Sequence, residues 1–258
     1  MAGRTLVQML RDRLTKRGWY DTPGYWDMKA EAYEGLARSN WPSNTFNRHW
    51  DTRQMQLIDE MLGDVSGLDV ADVACGTGRA SRHLARRGAR VTGLDFAPRA
   101  LDAARREAEG LPITFTTYDA LTPPPLDLVG RFDVGLTISC LAMACADTRT
   151  FDRALGHVAS LVKPGGRFLF LEPIHRSRLL RRILRMSAEE WIALAGTHGL
   201  ELLARKSMGF VPARLAFAFR DWPDAVVGPV FWAGERLLDR SGVFEPLSDY
   251  KCLLFRHA

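Results

Sequence analysis

The chain has 258 residues, 47% of them apolar and 25% charged, and a formal net charge of +5. That balance excludes a disordered, fibrous or collagen-like polypeptide, and the length suffices for one large α/β domain with decorations or for two small domains. The charge is carried almost wholly by arginine and permits an anionic partner without demanding one. Cys75, Cys140, Cys145 and Cys252 are scattered, with neither a CxxC pair nor a metal-ligand spacing. Reduced thiols, no metal and a cytoplasmic location are the expectation. No run approaches the length of a membrane span.

Residues 1–62, with the aromatic-rich stretch GYWDMKAEAYEGLARSNWPSNTFNRHW, are expected to form a helical N-terminal cap ahead of a core spanning 63–258. Asp69–Ala74 reads as a strand that ends at Cys75-Gly-Thr-Gly78. A helix over Gly78–Arg87 follows and Gly88 stops it. Arg90–Asp95 is a second strand, and Pro98 suits the first turn of a helix over Arg99–Glu109. Ile113–Asp119 and Phe132–Ser139 are the third and fourth strands. Thr148–Val162 is helical, Lys163-Pro164-Gly165-Gly166 is a turn, and Arg167–Glu172 is the fifth strand. Ser187-Ala-Glu-Glu190 is a capping box, and Leu200–Lys206 and Asp249–Phe255 are the last two strands. Between those two lies an apolar insertion, 210–244, rich in Phe, Trp and Pro. This alternation predicts an α/β fold: a Rossmann-like, seven-stranded, mostly parallel sheet with helices on both faces.

The stretch ADVACGTGRAS (71–81) carries the first chemical signal. A strand ending in Gly-x-Gly and running into a helix presents bare backbone and free N–H groups to a ligand. Alone it fits a dinucleotide pyrophosphate, another adenosine cofactor, or a tight corner without ligand. Ser81 stands where a dinucleotide fingerprint needs its third glycine. Asp95 ends the next strand about 20 residues on, where a carboxylate can accept both hydroxyls of a ribose, and Asp119 ends the third strand.

With these pieces the sequence resembles the class I S-adenosylmethionine-dependent methyltransferases. The matching segments are DVACGTG (72–78), GLDFAP (93–98), YDA (118–120), FDV (132–134) and LVKPGGRFLFLEP (161–173). Within that superfamily it looks most like small-molecule enzymes of the broad ubiquinone- and menaquinone-biosynthesis group. One residue departs from the pattern, Ala74, which stands where the family has its first glycine.

The resemblance implies S-adenosyl-L-methionine as cofactor and S-adenosyl-L-homocysteine as product. Asp72 would order the loop and the cofactor's amino group, with Ala74, Cys75, Gly76, Thr77 and Gly78 forming the loop that offers its backbone. Asp95 would hold the ribose and Phe96 line the adenine pocket. Asp119 would face the adenine amino group with the Ala120 backbone beside it, and Ser139 and Cys140 would lie against the sulfonium arm. Tyr25 or Tyr33 would close over the cofactor from the cap, or serve ordinary helix packing. For an oxygen or carbon nucleophile, His175 and Glu172 are the candidate bases; their alternatives are a surface histidine and a residue that shapes the strand exit.

Substrate signals are two. The arginine-rich stretch 175–185 (HRSRLLRRILR) suits an anionic membrane surface or a phosphate, or an ordinary amphipathic helix with its arginines in water. The insertion and the cap would together roof a hydrophobic pocket, which predicts a lipophilic or amphipathic small molecule: a secondary metabolite, quinone, lipid or lipid-linked sugar. Nucleic acid is the weaker partner, because Ser139-Cys-Leu-Ala-Met143 lacks the Pro-Pro and aromatic of a flipped-base clamp. A non-catalytic binding module and a nicotinamide-dependent oxidoreductase are the competing classes.

Overall fold

A computed structural model of the chain describes residues 22–33, 35–38, 40–175, 184–240 and 242–258. Its seven strands are β1 (Asp69–Val73), β2 (Arg90–Asp95), β3 (Ile113–Thr117), β4 (Phe132–Ile138), β5 (Val162–Glu172), β6 (Leu200–Phe210) and β7 (Ser248–His257). They form one sheet in the order β3-β2-β1-β4-β5-β7-β6. β1 to β5 are mutually parallel, and β7 runs antiparallel between β5 and β6. The central strands read as nearly continuous apolar runs because helices cover both faces.

The described helices are α1 (Pro23–Ala32), α2 (Asn44–Leu62), α3 (Arg79–Arg86), α4 (Pro98–Glu107), the single turn α5 (Leu141–Ala144), α6 (Thr148–Ala159), α7 (Ala188–Thr197), α8 (Val211–Phe217) and α9 (Asp224–Arg240). Strand side chains alternate between the faces, so Phe168 and Phe170 of β5 pack with Phe151 of α6, Trp191 of α7 and Phe255. Leu169 and Leu171 turn the other way, into a cluster with Trp50 and Leu57 of α2 and Phe231 of α9. The capping box at the start of α7 is present, Ser187 bonding Glu190 N and the Glu190 carboxylate bonding Ser187 N.

Lys163-Pro164-Gly165-Gly166 is not a free turn. β5 already begins at Val162, which pairs with Phe132, and the register slips before Arg167 pairs with Val134. A Cβ on Gly166 would lie 2.5 Å from Val162 Cγ1 and 2.8 Å from the Asp133 carbonyl, so the irregularity needs glycine there. This pairing also stops α6 at Ala159.

The insertion is expected to roof a pocket; among the described residues, none of 210–244 lines the pocket that α1 overlies. The insertion's aromatic residues pack on the cap helix: Phe231 meets Phe46 at 5.6 Å between ring centroids, and Trp232 Nε1 donates to His49 Nδ1 at 3.2 Å. Asp221 accepts from Ser43 Oγ at 3.0 Å and from Thr45 N at 3.1 Å. Helix α2 of the cap and α9 of the insertion thus cover one face of the sheet together, with Phe46, Trp50, Val227 and Phe231 buried there. Among the described residues, no helix is long and apolar enough to cross a membrane. Of the arginine-rich stretch, 176–183 lie outside the described residues.

Candidate cofactor and substrate site

A pocket enclosing about 1110 Å³, its open mouth included, lies at the carboxyl ends of β1 to β4. Strand order reverses at β1, which pairs with β2 on one side and β4 on the other, and such a switch leaves a crevice outside the strand ends. Loops after four different strands line it, together with Trp26 and Ala30 of α1 and Asn40.

The first loop is built by local backbone geometry. Ala74, Gly76 and Gly78 all have left-handed φ values, 59°, 55° and 73°. For glycine this is free; for Ala74 it carries the Cβ penalty of that region. Gly78 lies outside the pocket lining. Its role is packing: a Cβ there would lie 3.0 Å from the Phe115 ring and 3.2 Å from Ala104 Cβ. Asp72, buried behind the loop, accepts from Ser81 Oγ at 2.5 Å, so the residue in the third-glycine position anchors the loop. Burial lifts the Asp72 carboxyl to about 6, against the lowering pull of that bond.

Asp95 ties the second loop to the first. Its Oδ2 accepts from Gly76 N at 2.7 Å and its Oδ1 from Ala97 N at 2.8 Å. Burial raises it to about 6, while these backbone donors pull it down. Asp119 accepts from Leu121 N at 2.9 Å. Each carboxylate oxygen has lone-pair capacity beyond one bond, so both aspartates can still accept from a ligand. Phe96, Cys75, Thr77, Ala120, Ser139 and Cys140 complete the predicted residues that line the pocket.

Tyr25 and Tyr33 do not line it. Helix phase gives the pocket Trp26 and Ala30, one turn apart. Tyr25 packs edge-on against Trp26 at 5.1 Å, and the backbone turns extended at Tyr33. Also unforeseen are Asn40, Arg79, Tyr118, Met143 and Ala144. Arg79 directly follows the glycine turn, which was the available signal. Asn40 had none, since the cap carries it in from another segment.

Glu172 is not placed as a base. Fully buried, it accepts from Thr137 Oγ1 and Cys140 N at 2.9 Å, Leu141 N at 3.3 Å and Ala142 N at 3.2 Å. Its carboxyl therefore closes the N-terminal N–H groups of α5 and fixes the loop that carries Cys140 and Met143. Burial raises it to about 7. His175 does not line the pocket either. Its Nε2 pairs at 2.9 Å with Asp249 Oδ1, and Arg214 of α8 meets the other oxygen at 3.1 Å. This trio ties the end of β5, β7 and the insertion together. Ser139 has φ 58°, and its Oγ shares a hydrogen bond of 2.7 Å with Tyr250 OH. Among the described residues no group of His, Cys, Asp and Glu forms a metal-binding cluster.

This sheet order, with its crevice at the strand switch, defines a Rossmann-like α/β fold. Residues 70–166 match a methyltransferase domain family model. The ubiquinone biosynthesis O-methyltransferase of Leptothrix cholodnii is 31% identical over 184 residues, covering 68% of this chain and 75% of that one. The demethylmenaquinone methyltransferase of Tropheryma whipplei is 34% identical over 139 residues, 54% of each chain. The magnesium protoporphyrin IX methyltransferase of Synechocystis, solved with S-adenosylhomocysteine bound, shares the fold with a TM-score of 0.62 at 16% identity, covering 96% of this chain and 100% of that one. The chain belongs to the class I S-adenosylmethionine-dependent methyltransferases. It is a methyltransferase that uses S-adenosyl-L-methionine and yields S-adenosyl-L-homocysteine.

Proposed function

We propose that the enzyme methylates a lipophilic or amphipathic small molecule of the quinone-precursor type, and that the pocket's aspartates and glycine loop hold the cofactor. The observation that carries this reading is a single cavity combining Asp72, Asp95 and Asp119 with an apolar lining of Trp26, Leu121, Ile138, Met143 and Ala144. The residues fit the cofactor: left-handed backbone at 74, 76 and 78 keeps the loop open, and the buried Asn40 Nδ2 has no protein partner. Asp95 accepts the ribose hydroxyls, Phe96 flanks the adenine, Asp119 takes its amino group, and Asp72 steadies the loop under the amino-acid end.

When bound, S-adenosylmethionine supplies an electrophilic sulfonium methyl, so the chain's task is alignment and exclusion of water. Trp26 and Ala30 cover the pocket from α1, while Cys140 and Met143 present an apolar wall held rigid by Glu172. The names of the two quinone-pathway relatives support an acceptor of this class. An apolar cavity suits a hydrocarbon-bearing aromatic ring better than a nucleobase clamped by polar edges.

Isothermal titration with S-adenosylhomocysteine and with NADH, followed by methyl transfer from labelled cofactor to alkylated catechols and to oligonucleotides, tests the reading. Binding of S-adenosylhomocysteine alone, loss of it in Asp95→Ala, and labelling of the catechols support it. Preference for NADH overturns the cofactor assignment, and labelling of oligonucleotides alone overturns the acceptor class.

A further inference from the structure

Among the described residues, three side-chain hydroxyls line the pocket: Thr77, Tyr118 and Ser139. Thr77 belongs to the glycine loop, and Tyr118 OH already donates to Thr122 O at 3.2 Å. Ser139 differs from both in place and in partner. It follows β4, whereas the pocket's three aspartates belong to the ends of β1, β2 and β3. The lining residues nearest to it in sequence, Ile138, Cys140, Met143 and Ala144, are apolar. Its hydroxyl therefore sits in the less polar wall, where a hydrocarbon-bearing acceptor fits.

The backbone and the partner are both unusual. Ser139 has φ 58°, so it carries a side chain in the region that favours glycine, and such conformations persist where the surroundings hold them. The holders are visible: Ser139 N donates to Leu171 O at 3.1 Å, and Ser139 Oγ shares a 2.7 Å hydrogen bond with Tyr250 OH. Tyr250 belongs to β7, which β5 separates from β4. Glu172 pairs with Lys251, so Tyr250 lies one residue beyond the last β5 pair and its hydroxyl bridges to Ser139 across the end of β5. Its buried ring is fixed edge-on by Trp50 of α2 at 5.1 Å between centroids.

Either hydroxyl can donate in this pair. An ionised oxygen in the pocket decides the direction, because an anion only accepts. Ser139 O–H then turns to that oxygen and Tyr250 O–H turns to Ser139. Hydroxyls in series polarise each other, most strongly in an apolar setting.

Resting on the function proposed above, we propose that Ser139 is the catalytic hydroxyl that binds the acceptor's nucleophilic oxygen as an oxyanion, with Tyr250 as its positioning residue. The acceptor class is a phenol or catechol that gives its proton to bulk water on binding. The phenolate oxygen then bonds the methyl carbon, and the electron pair of the breaking carbon–sulfur bond stays on sulfur. A neutral ether and a thioether result, and Ser139 and Tyr250 keep their protons. This needs no base from the chain, in keeping with Glu172 and His175 being engaged outside the pocket.

Steady-state methyl transfer to 4-butylcatechol and to the more acidic 4-nitrocatechol, with titration calorimetry of S-adenosylhomocysteine, tests this on the full chain. Ser139→Ala should lower kcat for 4-butylcatechol about ten- to hundredfold. Tyr250→Phe keeps the ring against Trp50 and the serine proton, and should lower it about three- to tenfold. The double variant should be no worse than Ser139→Ala, because the two hydroxyls act as one unit. With 4-nitrocatechol, whose oxygen ionises readily and is weakly basic, each variant should lose less than about threefold. S-adenosylhomocysteine affinity should stay within about twofold of wild type, which also shows that the variants fold. Equal losses with the two catechols, or none, refute the Ser139 role while the proposed function stands. A loss of S-adenosylhomocysteine affinity that matches the loss of rate makes Ser139 a cofactor ligand and refutes it as well. If wild type binds S-adenosylhomocysteine but methylates neither catechol, the acceptor class and the Ser139 role fall together.

Discussion

Replacing Glu172 separates a structural from a catalytic carboxylate. In Glu172→Ala the buried N–H groups of Cys140, Leu141 and Ala142 lose their acceptor. Orphaned donors cost about 1–3 kcal/mol each, or about 3–9 kcal/mol for three. Against this stands the energy tied up in lifting the carboxyl to about 7, about 3 kcal/mol. The net loss is then about 3 kcal/mol, and a chain of this size loses about 2–4 °C of melting temperature per kcal/mol. Calorimetry should therefore show a fall of about 6–12 °C. Glu172→Gln keeps the shape and one acceptor oxygen and should lose less than half as much. Affinity for S-adenosylhomocysteine should fall only a few-fold in either variant, through the loosened Cys140 wall. The reasoning is refuted if both variants melt like wild type while methyl transfer drops more than a hundredfold. That result would make Glu172 a catalytic residue.

Two further outcomes follow from the buried groups. Asp72 and Asp95 are held at about 6, and Glu172 and Glu235 at about 7, all above the ordinary carboxylate range because of burial. The folded state therefore binds more protons than the unfolded one between about pH 4 and 7. The stability these groups give is fully present below their unfolded values and lost as pH rises through 6 to 7. Melting at constant ionic strength should peak on the acid side, near pH 5–6, and decline toward pH 8; a steady rise from pH 5 to 8 contradicts this. Ala74→Gly removes a left-handed penalty of about 1–2 kcal/mol at the cost of about 0.4–1 kcal/mol of unfolded-state entropy. The Ala74 methyl also packs against the core, worth about 0.8 kcal/mol if fully buried, so urea unfolding should show a net change of less than about 1 kcal/mol, and a loss of more than about 2 kcal/mol would contradict the left-handed penalty at this position.

The sequence by itself determined the elements whose causes are local. Apolar runs of strand length gave β1, β2 and β4 nearly to the residue, and the Ser187–Glu190 capping box started α7 where expected. The Gly-x-Gly turn with Asp95 and Asp119 marked most of one wall of the pocket, because each sits at a strand end and parallel strands all end on the same side. What only the tertiary structure decided depends on segments distant in sequence. Glu172 reads as a base next to a strand exit, yet three N–H groups some 30 residues away claim it. The aromatic insertion reads as a pocket roof, but α2 takes its apolar face first. Helix phase chose Trp26 over Tyr25, a matter of one residue that composition leaves open. Arg79 stood beside the motif all along; its direction came from Asp51 and Gln54 on another helix, and a partner's position is what a sequence does not carry.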